Sequence, residues 1–284
     1  MSAYGSDIST VRHRGSLWTK YRPLPGVVRA VVALDAFRHM LYGPDLSYIH
    51  HTGFGTFAEQ AAPGLVVILR AAGIHNGLIV DLGCGSGIWL AHALRAGYSA
   101  LGIDVSPAMI ELARSVAPQA EFIVGSAHAV EIPTCVAVTA LGESISYLPE
   151  KWVDLHIQTL INRIADALVP GGLLIFDVVE RSWAAPMSYE TSRLESDWQI
   201  EVEVREDPTR KLLTRTINIT RQVGADTRRS TELHRIRTFD RSELEDPLAA
   251  AGFVFQVTQG YDAVQFLPHR LGFVAHKTGR SSAQ

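Results

Sequence analysis

The fold is decided by residues 79–87, which read IVDLGCGSG. A short apolar run ends near Asp81, and glycines then occupy the alternate positions Gly83, Gly85 and Gly87 before a helical pattern begins. Glycine adopts backbone angles that other residues avoid, and it lets a ligand lie directly against the chain. The first turn of a helix presents unpaired N–H groups that bind anions. The pattern therefore predicts a strand, a ligand-binding turn and a helix.

A second acidic residue, Asp104, ends the next predicted strand, at 99–105. A carboxylate at that position can accept hydrogen bonds from both ribose hydroxyls of a nucleoside. Dinucleotide-binding turns carry a third glycine where this chain has Ile88, so the spacing disfavours a dinucleotide. The alternative interpretation is a tight strand–helix turn with an ordinary surface aspartate. The register of Asp81 and Asp104 with their strands favours the nucleoside interpretation.

Strand and helix patterns alternate around this turn. The apolar runs typical of buried strands lie at 78–82, 99–105, 122–124, 136–141, 173–178, 253–257 and 271–276. Helical patterns lie between these strands. A segment of helical composition at 27–41 and a helical pattern at 57–72 precede them. The sequence therefore predicts an α/β fold with an open, seven-stranded, mostly parallel sheet and helices on both faces.

The alternation changes to a period of two within residues 184–238. Apolar side chains from Trp198 to Val204 alternate with polar ones, and a second such run contains one misfit on its apolar side, Arg215. This pattern is typical of antiparallel strands with one face in water. We divide the chain into an N-terminal arm and lid helix (1–56), a core (57–183 and 239–284), and an antiparallel insertion (184–238) that acts as a lid.

The composition narrows the class of protein. Of 284 residues, 47% are hydrophobic and 19% are charged, which is typical of a globular protein. The net charge of -3 makes nucleic acid an unlikely partner. Two cysteines cannot form a disulfide framework, which favours a cytoplasmic location. No apolar segment is long enough to cross a membrane. The adjacent histidines His50 and His51 lack metal-ligand spacing, so no metal is predicted.

The ordered set of motifs resembles the class I S-adenosylmethionine-dependent methyltransferases of the small-molecule type. The segments similar to family motifs are 81–87, 102–106, 125–128, 141–143 and 168–172. The chain departs from the family at Ser126, where an acidic residue is common, so a hydroxyl or backbone contact must substitute.

The resemblance implies a Rossmann-like fold, S-adenosylmethionine as the cofactor and S-adenosylhomocysteine as its product. The residues that would lie at the methionine and sulfonium end are Asp81, Gly83, Gly85, Gly87, Leu141 and Gly142. Those that would hold the ribose and adenine are Asp104, Val105, Met109, Ser126, Ala127 and His128. Tyr48, together with Phe54, is predicted to close over the cofactor, with packing in the core as an equal alternative.

Two residues are predicted to act on the acceptor. Methyl transfer is an in-line displacement in which positioning supplies much of the rate, and a base is needed only when the acceptor must lose a proton. Glu143, just after the fourth strand, is either such a base, a ligand for a cationic amine, or a helix-start carboxylate. His51, like His50, is either a base or a loop histidine that contacts solvent or backbone.

Several other side chains are weaker candidates for the acceptor site. These are Tyr147, Asp177, Glu180 and His234, and for His234 a surface position is the favoured alternative. Cys84 and Cys135 are interpreted as small packing residues.

The leading functional hypothesis is methyl transfer to the oxygen or nitrogen of a small-molecule acceptor. The alternatives are methylation of a macromolecule, RNA or protein, and a non-catalytic cofactor-binding module. Against a macromolecule stand the acidic charge and the absence of an Asn/Asp-Pro-Pro-aromatic motif, in whose place residues 141–144 read LGES. A homodimer is compatible with the sequence.

Overall fold

The structure is a computed structural model that describes residues 41–148, 156–262 and 264–278. The predicted arm and almost all of the helix predicted at 27–41 lie outside the described residues. The helices are α1 (Pro44–Phe54), α2 (Thr56–Ala71), α3 (Ile88–Arg95), α4 (Pro107–Val116), α5 (Ile157–Ala167) and α6 (Ser242–Ala250).

Thirteen strands lie within the described residues. In the first half of the chain they are β1 (Leu78–Leu82), β2 (Ser99–Asp104), β3 (Glu121–Val124), β4 (Cys135–Ala140) and β5 (Leu168–Glu180). The insertion supplies β6 (Ser188–Leu194), β7 (Trp198–Asp207), β8 (Leu212–Val223) and β9 (Asp226–Phe239). The remaining strands are β10 (Phe253–Thr258), β11 (Gly260–Tyr261), β12 (Val264–Gln265) and β13 (Arg270–Lys277).

The predicted seven-stranded core is confirmed. Parallel pairing gives the order β3-β2-β1-β4-β5, and β13 and then β10 follow antiparallel on the other side of β5. One face of the sheet is covered by α5 and α6, through side chains such as Leu160 and Leu244. The other face packs against α2, α3 and α4, through Leu65, Leu90 and Ile110. Burial of each such side chain contributes about 1.5–3 kcal/mol, so both faces stabilise the sheet.

The insertion forms antiparallel strands as predicted, but it also joins the core sheet. Strands β6 to β9 pair in sequence, and β9 pairs parallel to β5 through Val179↔Thr238 and Glu180↔Phe239. β4 ends opposite Phe176, so the last residues of β5 have a free edge on that side. Because β9 fills this edge, the sheet has eleven strands within the described residues.

Two local differences concern the ends of elements. The segment around His50, predicted as part of a lid, is the helix α1, with Pro44 in its first turn. The turn predicted at 170–172 lies inside β5, where the pairing with β4 slips between Cys135↔Leu168 and Ala137↔Leu173. Among the described helices, none combines the length and the apolar character that crossing a bilayer requires.

Candidate active site

A cavity of about 530 Å³ opens at the carboxyl ends of the parallel strands. Its floor includes the glycine turn after β1, and its walls include residues of α1 and of the insertion strands β7 and β8. The sequence-predicted residues that line it are His50, Phe54, Asp81, Gly83, Gly85, Asp104, Val105, Met109, Ser126, Ala127, His128, Leu141, Gly142, Glu143 and Tyr147. Gly87, Tyr48 and His51 are outside this lining.

Each glycine of the turn has a positive φ, but each has a different neighbour. A Cβ atom on Gly83 would lie 2.3 Å from the Ser144 Cβ, and one on Gly87 would lie 3.1 Å from the Ala113 Cβ. Gly87 therefore brings the start of α3 close to α4 rather than forming the cavity wall. A Cβ on Gly85, where φ is 51°, would meet no atom within 4 Å, because this residue faces the open cavity.

Asp104 ties the two ligand-binding turns together. Its Oδ2 accepts a hydrogen bond from the Gly85 N–H at 2.9 Å, and its Oδ1 accepts one from the Ser106 N–H at 2.8 Å. Burial raises the pKa of Asp104, and the hydrogen bonds from these backbone groups act in the opposite direction. Each carboxylate oxygen keeps further acceptor capacity toward the cavity.

Asp81 is buried beside the same turn. Its Oδ1 accepts a hydrogen bond from the Thr139 hydroxyl at 2.6 Å, and the Thr139 oxygen accepts one from the Trp89 Nε1–H at 3.0 Å. Burial raises the pKa of Asp81 to about 7, opposed by the Thr139 bond and supported by the nearby charge of Asp104. A cation placed at Asp81 would therefore favour its ionised form.

The loop after β3 provides the opposite wall. The Ser126 hydroxyl accepts a hydrogen bond from the His128 N–H at 3.2 Å, so it closes its own turn. The His128 Nε2 lies 3.3 Å from the Ile145 carbonyl oxygen, and burial lowers the pKa of His128 to about 4. The imidazole is therefore uncharged at neutral pH.

Asp177 fixes the loop that follows β4. Its fully buried carboxylate accepts hydrogen bonds from the Gly142 N–H (3.0 Å), the Glu143 N–H (2.8 Å), the Tyr261 hydroxyl (3.1 Å) and the Arg270 Nε–H (2.6 Å). Asp177 is absent from the cavity lining, so it acts by holding Glu143 and Arg270 in place.

Glu143 reaches the cavity already paired with a cation. Its Oε1 accepts a hydrogen bond from the Arg215 guanidinium, which extends from β8 into the same cavity. The nearby carboxylate raises the pKa of Arg215, against the effect of burial. Beside this pair, the hydroxyls of Tyr42 and Tyr147 lie 2.9 Å apart and share a hydrogen bond.

Residues 79–172 match the model of a methyltransferase domain. These residues are a class I, S-adenosylmethionine-dependent methyltransferase domain. Among curated relatives, a ubiquinone biosynthesis O-methyltransferase of Photorhabdus laumondii is 24% identical over 122 residues, which cover 41% of this chain and 48% of that protein. The chain thus spans about half the length of the curated relatives it matches.

Solved structures share the methyltransferase fold over most of the chain. A S-adenosylmethionine-dependent methyltransferase of Clostridium acetobutylicum has a TM-score of 0.68 and 16% identity, and the match covers 82% of this chain and 97% of that one. An amino pentose methyltransferase of Micromonospora echinaspora, involved in calicheamicin biosynthesis and solved with S-adenosylmethionine bound, has a TM-score of 0.64 and 20% identity over 94% of this chain and all of that one.

The methyltransferase domain does not bring every predicted site residue to the cavity. The Nδ1 atom of His51 lies 2.9 Å from the Ser86 hydroxyl, and the Tyr48 hydroxyl donates to Asp197 at 2.8 Å. Neither side chain lines the cavity, although Ser86, the partner of His51, does, and the same helix buries Leu46 and Ile49 against the insertion. This orientation depends on residues distant in sequence.

The weaker candidates also have clear positions. His234 is fully buried on β9, with its Nε2 atom 2.9 Å from Glu232, so the surface alternative is wrong for this residue. Tyr147 lines the cavity, whereas Glu180 does not. Burial raises the pKa of the Cys84 thiol and, to about 12, that of Cys135, so both thiols stay protonated.

Some cavity residues were missed by the sequence reasoning, among them Tyr42, Phe57, Trp89, Arg215, Phe266 and Arg270. A signal existed for Arg215, the one charged side chain on the apolar side of its strand. None existed for Arg270, which reaches the cavity from β13, far along the chain.

The raised pKa of Asp81 predicts a pH-dependent stability. The folded pKa of about 7 exceeds the ordinary aspartate pKa of 3.8, so the folded protein keeps a proton that the unfolded chain releases between these values. The contribution of Asp81 to the free energy of unfolding therefore decreases from about pH 4 to about pH 7. Asp81→Asn should be more stable than the parent protein by about 2–4 kcal/mol at pH 8, with little difference at pH 4. Urea unfolding at both pH values measures this, and an equal difference at the two would contradict it.

Proposed function

We propose that this chain transfers a methyl group from S-adenosylmethionine to an oxygen or nitrogen atom of a small-molecule acceptor by in-line displacement. The observation that carries the proposal is one cavity with two parts. A glycine turn and two buried carboxylates form one part, and α1 with the insertion encloses the other. The first part suits a nucleoside with an amino acid end, and the second suits a small acceptor.

The residues present fit the cofactor. When bound, S-adenosylmethionine supplies an activated methyl group. Asp104 would accept hydrogen bonds from the ribose hydroxyls with the acceptor capacity that its two backbone bonds leave free. Asp81 would hold the amino group, and the open space above Gly85 would admit the ligand against the backbone.

The adenine would lie against the loop after β3. Val105 and Met109 line this part of the cavity together with Ser126, Ala127 and His128. Leu141 and Gly142 would lie beside the reacting end, on the loop that Asp177 holds. Proximity in such a fixed geometry supplies much of the rate in a displacement of this kind.

A small acceptor is favoured over a macromolecule by the covering of the cavity. α1 and the insertion pack against each other through Leu46, Ile49, Trp198 and Ile217. By their names, the Photorhabdus relative acts in ubiquinone biosynthesis and the Micromonospora protein acts on an amino pentose. Both names indicate small-molecule acceptors. The net charge of -3 argues against RNA. The cytoplasmic location, the homodimer and the division into 1–56, the core and 184–238 remain predictions.

The role of a base also remains a prediction. Of the two residues considered, Glu143 lines the cavity and is bonded to Arg215, whereas His51 does not line the cavity and is hydrogen-bonded to Ser86, which does. An acceptor that must lose its proton would therefore meet Glu143 first.

Calorimetry tests the cofactor assignment directly. S-adenosylmethionine and S-adenosylhomocysteine should bind, and NAD should not. Asp104→Ala should weaken the binding by about 1.5–3 kcal/mol, the scale of hydrogen bonds to a charged group. Asp226→Ala, at the exposed first residue of β9, is the control and should change nothing. Equal affinity of the Asp104→Ala variant and the parent protein would contradict the ribose assignment.

Turnover separates an enzyme from a binding module. Conversion of S-adenosylmethionine to S-adenosylhomocysteine should depend on an added small acceptor. Cofactor binding without conversion across a broad acceptor panel would favour the non-catalytic alternative.

A further inference from the structure

The charged side chains in the acceptor part of the cavity are paired with other charged side chains of the protein. Besides Asp81 and Asp104, the charged side chains that line it within residues 41–148, 156–262 and 264–278 are Glu143, Arg215 and Arg270. Glu143 and Arg215 pair with each other, and Arg270 pairs with the buried Asp177 at 2.6 Å. Each of these last three charges is thus paired within the protein.

The remaining polar groups in the acceptor part are neutral. Burial, together with the nearby His234 and His51, lowers the pKa of His50 to about 4, so its imidazole is uncharged at pH 7. Burial raises the pKa values of Tyr42 and Tyr147, whose hydroxyls bond to each other. These groups can exchange hydrogen bonds with a neutral ligand without separating charge.

The rest of this wall is apolar. It is lined by Leu46 and Phe54 of α1 and by Ile200, Val202 and Ile217 of the insertion. A charged acceptor that entered here would lose its hydration and, among the described residues, would meet charged side chains of the lining that already have partners, which is unfavourable.

We propose that the acceptor is an uncharged molecule with an apolar, aromatic-sized body and a hydroxyl group, and that the Glu143–Arg215 pair excludes charged acceptors. The inference rests on the proposed function and narrows it. A hydroxyl is neutral at pH 7 and both donates and accepts hydrogen bonds. An aliphatic amine or a carboxylic acid of the same size is ionised at that pH.

Three probes that share one ring system and differ in charge test the proposal. These are 2-naphthol, 2-naphthoate and 2-naphthylmethylamine, which are neutral, anionic and cationic at pH 7. Their dissociation constants would be measured by calorimetry with S-adenosylhomocysteine-loaded protein. We expect 2-naphthol to bind at least about tenfold more tightly than either charged probe.

Unpairing the two charges should redirect this preference. Glu143→Gln leaves Arg215 without its carboxylate, so the affinity for 2-naphthoate should rise about tenfold. Arg215→Gln leaves Glu143 without its cation, so the affinity for 2-naphthylmethylamine should rise by a similar factor. The double variant removes both charges and should restore the preference for 2-naphthol.

A second ion pair supplies the matched controls. Arg241 and Glu245 pair at 2.6 Å on α6 and its preceding residue, outside the cavity lining. Arg241→Gln and Glu245→Gln should leave all three affinities unchanged. Circular dichroism and S-adenosylhomocysteine affinity establish that each variant is folded, and the double variant provides a folded comparison if a single variant is unstable.

The outcomes separate this inference from the proposed function. Tighter binding of a charged probe to the parent protein, or single variants that shift neither charged probe, would overturn it, as would failure of all three probes to bind. Failure of S-adenosylhomocysteine to bind would instead overturn the proposed function.

Discussion

Gly85→Val is expected to abolish binding of S-adenosylmethionine, lowering the affinity at least about 100-fold. A side chain at this position would meet no protein atom within 4 Å and would extend into the cavity that the ligand needs. The substitution also places a β-branched residue at a φ of 51°, a conformation that costs roughly 1–2 kcal/mol. Calorimetry with S-adenosylhomocysteine measures the loss.

The control for this variant is Gly224→Val. Gly224 has a φ of 62° and likewise no atom within 4 Å of a Cβ, but it lies in the turn between β8 and β9, outside the cavity lining. Its backbone cost should be similar, and its ligand affinity should equal that of the parent protein. If the two variants bind equally well, the glycine turn is not the binding surface.

Trp198→Ala is expected to lower the free energy of unfolding by about 3–5 kcal/mol, the range for removal of a buried aromatic side chain. Trp198 is 4% exposed and packs in the apolar cluster between α1 and the insertion. It approaches α1 so closely that a Cβ on Gly53 would lie 2.6 Å from its ring. Urea unfolding followed by circular dichroism measures the change.

The same variant should lose acceptor turnover while it keeps affinity for S-adenosylhomocysteine within a few-fold, because the cluster covers the acceptor part of the cavity. Trp183→Ala is the control, since Trp183 is 72% exposed and contacts the Arg181 guanidinium. Unchanged stability in Trp198→Ala, or a loss as large in Trp183→Ala, would refute the role of the cluster as the support of the lid.

The cofactor part of the molecule could be predicted from sequence because its signals are local. A buried parallel strand appears in the sequence as an apolar run. A glycine turn followed by an acidic residue at the end of the next strand has a geometry that the local sequence determines. Asp104 lies beside Gly85 as the spacing indicated, with a hydrogen bond of 2.9 Å. Such features depend on residues within about one strand–helix–strand unit.

The acceptor part was less predictable because distant packing orients it. In α1 the adjacent His50 and His51 point about 100° apart, and nothing local selects which of them faces the cavity. That choice follows from Leu46 and Ile49, which pack against Ile200 and Ile219 of the insertion. The sequence indicated a lid but could not show which face of α1 is directed toward the cavity.

Arg215 shows how a local exception can carry information. On an apolar strand face an arginine is costly unless a partner neutralises it. The partner, Glu143, lies 72 residues earlier in the chain. The nearby carboxylate explains the misfit, but the alternation of the strand could not indicate which residue supplies it. The pairing of β9 with β5 could not be predicted either, because it depends on the residue at which β4 ends.

The short attachment of the insertion to β5 has an evolutionary consequence. The insertion joins the core sheet through two residue pairs, at Val179 and Glu180, and one isolated bridge between Tyr147 and Ile236 links it to the segment after β4. The strands that carry Asp81 and Asp104 make none of these pairings. Mutation can therefore rewrite the inner face of the insertion, and recombination can exchange it between residues 181 and 239, while the nucleoside site is inherited unchanged. We expect divergence among relatives of this chain to concentrate in that segment and in α1.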